Sequence, residues 1–181
     1  MSDTDLGLYL WILARVAGLT AYAVLALLLV TGLALRSGLL APLATNRAVR
    51  GVHEFATVLW IPLGIVHLGA LLLDQTANLG PVQLVVPFTA PYGTLALALG
   101  SLSCDLVVVV VLTGLLRRHL PLRAGQWLHR LGYVVFACVL LHSLLAGTDL
   151  ASTLVSSIAC AIAAGLGLLT LSRVVWGRLP E

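Results

Sequence analysis

Two stretches, HEFATVLWIPLGIVH (residues 53–67) and WLHRLGYVVFACVLLH (residues 127–142), decide how this sequence is interpreted. Each is apolar enough to lie in a membrane as a helix, yet each carries a histidine near either end. Ionisable side chains are costly in hydrocarbon, so histidines at such positions indicate a function rather than packing.

The composition predicts an integral membrane protein. Of the 181 residues, 60% are hydrophobic and 9% are charged, and the mean hydropathy is +1.08, which is outside the range of soluble domains. Five segments are apolar over the about 20 residues that one helical crossing needs. They cover residues 8–35, 52–73, 93–116, 128–147 and 151–172. We therefore expect one all-α membrane bundle of five helices over residues 1–181. No GxGxxG or P-loop pattern predicts a flavin or NAD(P) domain.

The arginines predict the orientation of the bundle, because basic residues collect on the cytoplasmic side of membrane proteins. All ten basic residues are arginine. Nine of them lie at one side of the predicted bundle, between segments one and two, between three and four, or after five: Arg36, Arg47, Arg50, Arg117, Arg118, Arg123, Arg130, Arg173 and Arg178. The other side carries acids: Asp3, Asp5, Asp74 and Asp149. We expect the N-terminus outside and the C-terminus in the cytoplasm, in a bacterial inner membrane. The net charge of +3 reflects this topology and does not indicate nucleic acid as a partner.

Segments two and four cross the membrane in the same direction, so their histidines fall at matching depths. His53 and His129 lie at the predicted cytoplasmic ends and are called the inner pair; His67 and His142 lie near the outer ends and are called the outer pair. The spacings of 14 and 13 residues correspond to roughly 20 Å along a helix. Two opposed imidazoles leave haem iron no open coordination position, which suits electron transfer. The histidines therefore predict two bis-histidine haem b sites.

The two spacings are not equivalent in a regular helix. At about 100° per residue, 14 residues bring His67 back to within roughly 40° of His53, whereas 13 residues leave His142 well off the face of His129. Local unwinding near Gly132, helix tilt or a rotational offset between the haems would each absorb the difference.

These residues resemble the ferric reductase-like transmembrane domain family, which includes ferric reductases, NADPH oxidases and the haem-binding membrane subunit of bacterial methionine sulfoxide reductase systems. The resemblance rests on H-x13-H in one helix and H-x12-H two helices later, with LARVAGLTAYAVLALLLVTGLALR (13–36) and RAVRGVHE (47–54) in support. It implies that the inner pair ligates one haem b and the outer pair the other. Many relatives have a sixth helix and fused flavin and NADPH domains, neither of which is expected here. Electrons would then arrive from a cytoplasmic flavin reductase or from quinol.

Two charged residues lie well inside predicted segments, away from the segment ends, and both are candidates near the acceptor or the proton path. Arg15 lies at the depth expected of the outer haem and should pair with a carboxylate such as a haem propionate, or else snorkel to the interface. In the resembling oxidases an arginine of this helix lies near the outer haem, where the acceptor is reduced. We expect Asp105 to be the most buried acid. Three alternatives stay open for it: a hydrogen-bonded neutral acid, a proton-relay or quinol-site residue, or the partner of Arg15.

Further candidates flank the inner pair. Arg50, Arg123 and Arg130 either bind propionates of the inner haem or only satisfy the positive-inside rule. His119 lies among arginines and two residues before a proline, and we expect a solvated loop histidine there.

The remaining segments predict structure rather than chemistry. Cys104, Cys138 and Cys160 show no CxxC or Cys/His spacing, and we expect them to be small buried hydrophobes. The connection over residues 75–92 contains three prolines, cannot continue a helix, and is predicted to lie as a lid over the outer end.

The sequence as a whole predicts a membrane b-type cytochrome that moves electrons to an external acceptor, which could be Fe(III), O2 or a partner protein. A quinone, or a flavin supplied by a partner, could be a further cofactor. Two alternatives remain open. One is a haem-bearing anchor subunit that is active only with a partner reductase; the other is a non-haem transporter or proton conduit that uses the histidines and Asp105 as relay groups.

Overall fold

A computed structural model of the chain describes residues 3–116 and 118–176, apart from the side chains of Asp3, Thr4, Arg173 and Trp176. Within these ranges the protein is all-α, and five helical segments are long and apolar enough to cross a membrane. The predicted fold class is confirmed, and these helices are those of a multi-pass membrane protein. Arg117 and Arg178, which contributed to the predicted orientation, lie outside the described residues.

Seven α-helices form the described part of the chain: α1 (Asp3–Ser37), α2 (Asn46–Leu73), α3 (Pro81–Val85), α4 (Thr94–Leu115), α5 (Leu122–His129), α6 (Leu131–Ala146) and α7 (Thr153–Trp176). The four longest are single crossings by length, and α5 and α6 together form the fifth. A short 3-10 helix, Thr148–Ala151, joins α6 to α7.

The helix α2 begins six residues before its predicted start at position 52. Thr45 explains the earlier start, because its hydroxyl oxygen accepts a hydrogen bond from the Ala48 N–H at 3.2 Å, as N-cap threonines do. Arg47 and Arg50 therefore lie in the first turns of α2, and Arg36 lies in the last turn of α1. The prediction that all three lie between helices is wrong, although they remain at the same end of the bundle.

The fourth predicted segment, 128–147, is two helices with a break at Arg130. The Arg130 N–H donates to the carbonyl oxygens of both Gln126 and Trp127, at 3.2 and 3.1 Å, a shared bond that is typical of a tightened helix end. The helix α5 starts at Leu122, so the prediction that Arg123 lies in a loop is wrong.

The helix α1 is the centre of the bundle. It packs along α2 and also contacts α6 and α7, whereas α4 packs along α6. Tyr22 of α1 joins three of these helices, since its ring stacks on Phe136 of α6 with centroids 5.4 Å apart and its hydroxyl donates to the Ala159 carbonyl of α7 at 2.9 Å. Of the three described helices that carry histidines, α2, α5 and α6, the two long ones, α2 and α6, pack mainly on these neighbours rather than on each other.

Two smaller predictions have different outcomes. As predicted, α2 does not continue into residues 75–92, but that connection holds the short helix α3, which contacts α4.

Cys138 is buried and Cys104 is half-buried, whereas Cys160 is exposed. The prediction that all three cysteines are buried is therefore wrong for Cys160, which lies on the outward surface of α7.

Candidate functional site

The four histidines of the two apolar stretches meet in pairs. The ring centroids of His53 and His129 are 6.4 Å apart, and those of His67 and His142 are 6.5 Å apart. The rings of each pair are inclined to one another at 63° and 82°. Because both pairs form, α2 runs in the same direction as α5 and α6 with its histidines at matching levels. This is the pairing that the sequence predicts.

The separation of the rings suits a metal ion held between two imidazoles. With metal–nitrogen bonds of about 2.0 Å and a ring centre about 1.2 Å behind each nitrogen, two imidazoles on opposite sides of one ion have centroids about 6.4 Å apart. No group of three or more His, Cys, Asp or Glu side chains that could hold a metal ion occurs among the described residues. A macrocycle such as haem needs only two further ligands from the protein, one on each side of its iron.

Both rings of the outer pair are oriented by main-chain carbonyls. His67 Nδ1 lies 2.8 Å from the Ala14 carbonyl oxygen of α1, and His142 Nδ1 lies 2.8 Å from the Ala96 carbonyl oxygen of α4. A carbonyl oxygen only accepts hydrogen bonds, so each Nδ1 carries the proton and donates it. The lone pair of each ring is then on Nε2, which is the state that a metal-binding imidazole requires.

The inner pair is held differently. His53 Nδ1 lies 3.0 Å from Thr31 Oγ1. The Thr31 hydroxyl donates its own proton back to the Leu27 carbonyl oxygen at 2.8 Å, so its oxygen accepts from the His53 Nδ1–H. For His129, the described part of the chain provides no hydrogen-bond partner. His53 is therefore held by the Thr31 hydroxyl and by a main-chain hydrogen bond to Leu28.

Three glycines allow the histidines to approach the neighbouring helices. At Gly18 of α1 and Gly100 of α4, an added Cβ would lie 3.0 Å from the Nδ1 of the facing outer-pair histidine; at Gly32 it would lie 3.4 Å from His53 Cε1. Our sequence reading missed these glycines. A signal was present, since Gly18 and Gly32 repeat on α1 the 14-residue spacing of the histidines on α2.

The break at Arg130 accounts for the unequal histidine spacing. His129 is the last residue of α5, whereas His142 belongs to α6. Because the two rings are carried by different helices, they do not have to follow a single helical periodicity. This local irregularity of the helix lies at Arg130, two residues before Gly132.

Arg15 is paired with a carboxylate of the protein itself. Its Nε donates to Asp149 Oδ2 at 2.7 Å, its Nη2 donates to Oδ1 of the same side chain, and its guanidinium lies 3.9 Å from the centre of the Trp11 ring. The suggestion that Asp105 pairs with Arg15 is therefore wrong. Through these hydrogen bonds and its charge, Arg15 holds the pKa of the Asp149 carboxyl below its usual value.

Asp105 is half-buried in α4, where it makes no hydrogen bond or ion pair with another described residue. The most buried described acid is Asp74, which is 5% exposed, so the expectation for Asp105 is wrong. Asp74 Oδ1 accepts hydrogen bonds from the Thr76 N–H and hydroxyl at 2.9 and 2.6 Å. Asp74 thus stabilises the turn that follows α2.

The other predicted candidates are exposed. Arg50, Arg123 and Arg130 form no ion pair within the described ranges, although the Arg130 guanidinium lies 4.6 Å from the centre of the Trp127 ring. His119 is exposed, as predicted, and its Nε2 accepts a hydrogen bond from Arg118 Nε at 3.0 Å. The three arginines therefore have charges available for an anionic group.

No family model, no curated protein and no solved structure matches this chain.

Proposed function

We propose that this chain is a membrane b-type cytochrome of the ferric reductase-like kind, with one haem b between the histidines of the inner pair and one between those of the outer pair. The observation that supports the proposal is that both pairs are separated by the distance that a shared metal ion requires, at 6.4 and 6.5 Å. A membrane helix offers many ways to satisfy one histidine, but few that bring four into two such pairs.

The residues around each pair supply orientation, electrostatics and exclusion of water. Carbonyl and hydroxyl oxygens hold three of the four rings with Nε2 available, which is how protein sites orient imidazole ligands. Arg50, Arg123 and Arg130 have no carboxylate partner of their own among the described residues and are suited to propionates at the inner site. Haem itself supplies a one-electron carrier whose two axial positions are filled by imidazole.

In this proposal electrons cross a bacterial inner membrane from the cytoplasmic side to the outside. A cytoplasmic flavin reductase or quinol is the donor, and Fe(III), O2 or a partner protein is the external acceptor. The orientation rests on the arginines, which collect at the end of the bundle that carries the inner pair.

A proton conduit is less well supported by the two aromatic side chains that lie between the levels of the pairs, Trp60 and Tyr22. Trp60 lies seven residues from both histidines of α2, and its indole N–H donates to the Ala21 carbonyl at 2.9 Å. The Tyr22 hydroxyl donates to the Ala159 carbonyl. Both donors are used by main-chain oxygens, so neither continues a chain of proton transfers between the pairs.

The test is the haem content of the purified protein and of histidine variants. We expect a dithionite-reduced spectrum with the sharp α-band of bis-histidine haem b and about two haems per chain. His53→Leu and His67→Leu should each remove one haem, while the matched control His119→Leu should retain both. A colourless protein, or full haem content in both ligand variants, would contradict the proposal.

A second measurement separates an enzyme from an anchor subunit. Protein reconstituted in liposomes that contain a trapped, impermeant reductant should reduce external Fe(III) without any added protein. Rapid haem reduction combined with no Fe(III) reduction would assign the chain as the haem-bearing anchor of a larger complex.

A further inference from the structure

We infer that the bundle contains two copies of one hairpin, and that Thr113 is the positioning residue of His129, as Thr31 is of His53. The first hairpin is α1 with α2, and the second is α4 with α5 and α6. This inference rests on the proposed function, because it concerns how one of the proposed ligands is oriented.

The outer ends of the two hairpins are equivalent in detail. The Ala14 carbonyl oxygen of α1 lies 2.8 Å from His67 Nδ1, and the Ala96 carbonyl oxygen of α4 lies 2.8 Å from His142 Nδ1. Two more features recur at equal distances along the chain: a glycine that faces the histidine, four residues after the accepting alanine, and an aspartate seven residues after the histidine. They are Gly18 and Gly100, and Asp74 and Asp149.

The same correspondence continues along α1 and α4 to the level of the inner pair. Thr31 follows Ala14 by 17 residues, and Thr113 follows Ala96 by 17 residues, within one continuous helix in each case. Equal numbers of residues give an equal rise, about 25 Å here, and an equal rotation. The local sequences also agree, since VTGL (30–33) in α1 corresponds to LTGL (112–115) in α4. Thr113 therefore lies at the inner level, on the face of α4 that is turned towards the histidines.

The two threonines have the same burial and the same local hydrogen bond. Thr31 is 3% exposed and Thr113 is 5% exposed. Each hydroxyl donates to the carbonyl oxygen four residues earlier, that of Leu27 at 2.8 Å and that of Val109 at 2.7 Å. Each hydroxyl oxygen is then left as an acceptor. In the first hairpin it accepts from His53 Nδ1, 3.0 Å away.

His129 is the histidine that needs such an acceptor. Its side chain is exposed, whereas the other three are half-buried, and it has no hydrogen-bond partner among the described residues. A histidine that binds a metal almost always donates its other ring N–H. The repeat places the Thr113 hydroxyl opposite it. Because His129 ends α5, an eight-residue helix that the break at Arg130 separates from α6, a small movement of α5 brings the ring to Thr113.

The test uses a variant that keeps a single haem. In His67→Leu only the inner haem should remain, and the EPR spectrum of its ferric form depends on the orientation of the two axial imidazoles. Adding Thr113→Val should change this spectrum. It should also speed the transfer of the inner haem to apomyoglobin by about 10- to 100-fold, which is the usual cost of losing a group that orients a metal ligand. Adding Thr113→Ser instead should leave both the spectrum and the rate unchanged, because serine keeps the hydroxyl.

The same measurement on Thr31→Val gives the scale of the effect. His53 keeps its main-chain hydrogen bond to Leu28 when the Thr31 hydroxyl is lost. For His129 no other acceptor is present in the part of the chain that the structure describes. Thr113→Val should therefore speed the release of the inner haem at least as much as Thr31→Val does, and a clearly smaller effect would overturn the role of Thr113.

The matched control is Thr170→Val. Thr170 also donates to the carbonyl oxygen four residues earlier, that of Leu166 at 2.8 Å, but it lies on α7, which carries no histidine. This variant should leave the spectrum and the release rate of the inner haem as they are in His67→Leu.

Two results would overturn the positioning role. An unchanged spectrum and release rate on adding Thr113→Val to His67→Leu would show that water serves as the acceptor for His129. In His53→Leu, which should keep the outer haem alone, a change in that haem on adding Thr113→Val would show a general effect on the fold. Absence of haem from the wild type would contradict the proposed function instead, so the two failures are distinguishable.

Discussion

Replacing Gly18 by alanine should damage the outer site selectively. The added methyl carbon would lie 3.0 Å from His67 Nδ1 and 3.1 Å from its Cε1, whereas ordinary contacts begin at 3.4 Å. The His67 ring must therefore move by a few tenths of an ångström. Metal–ligand distances in a working site vary within only about 0.2 Å. A displacement of this size disturbs both the bond to the Ala14 carbonyl and the alignment with His142.

The size of the expected loss of haem affinity can be taken from other sites in which a group that orients a metal ligand is changed. Changes to such groups typically cost about 10- to 100-fold in metal affinity, so we expect haem at the outer pair to be lost that much more readily in Gly18→Ala. The substitution should not unfold the protein, because alanine is favoured over glycine in a helix by about 1 kcal/mol. The haem at the inner pair should be retained.

The assay is the rate and extent of haem transfer from detergent-solubilised protein to excess apomyoglobin. Gly18→Ala should release one haem quickly and hold the other as the wild type does. Gly114→Ala is the control, since an added Cβ at Gly114 meets no atom within 4 Å. If Gly18→Ala released haem no faster than Gly114→Ala, the close approach of α1 to His67 would not orient that ring, and the reasoning would be refuted.

Two further predictions concern stability. The pKa of Asp149 is lower in the folded protein than in the unfolded chain, where it is about 3.9. The ion pair with Arg15 therefore stabilises the fold fully above the unfolded pKa. This stabilisation is lost as the pH falls through the lower pKa of the folded state. Thermal melts at pH 7 should therefore show a lower Tm for Asp149→Asn than for the wild type, and the two Tm values should converge at strongly acidic pH. A difference in Tm that stays the same at every pH would contradict the role of this pair. Tyr22→Phe keeps the stacking on Phe136 but removes the hydrogen bond to the Ala159 carbonyl. Equilibrium unfolding should therefore show a free energy of unfolding lower by about 1 kcal/mol. An unchanged free energy of unfolding would show that this bond does not contribute.

The helices could be predicted from sequence more completely than their ends. Five apolar runs define the crossings because hydropathy is averaged over about 20 residues. The same averaging hides the break at Arg130, where no proline marks the change. The start of α2 was also missed, because Thr45 and the arginines after it lower the hydropathy although Thr45 is a good N-cap.

The histidine pairs could be predicted because equal depth follows from spacing and direction alone. The pair formed by Arg15 and Asp149 could not, since 134 residues separate them and no local pattern relates them. Asp105 was misjudged for a different reason. A central position in a membrane segment fixes the depth of a residue in the bilayer, but burial depends on which neighbours cover that face of the helix, as the more buried Asp74 illustrates.

The division of the bundle into two hairpins bears on how it is assembled. The hairpin of α1 and α2 already contains the oxygens and glycines that orient His53 and His67, and α4 provides the same for His142. His53, His67 and His142 can therefore reach their orientations within each half, before the halves meet. A group bound between α2 and α6, as proposed above, would join surfaces that hardly touch, and would stabilise the tertiary structure only after both hairpins have formed. His129, at the end of α5, would be the last of the four rings to settle.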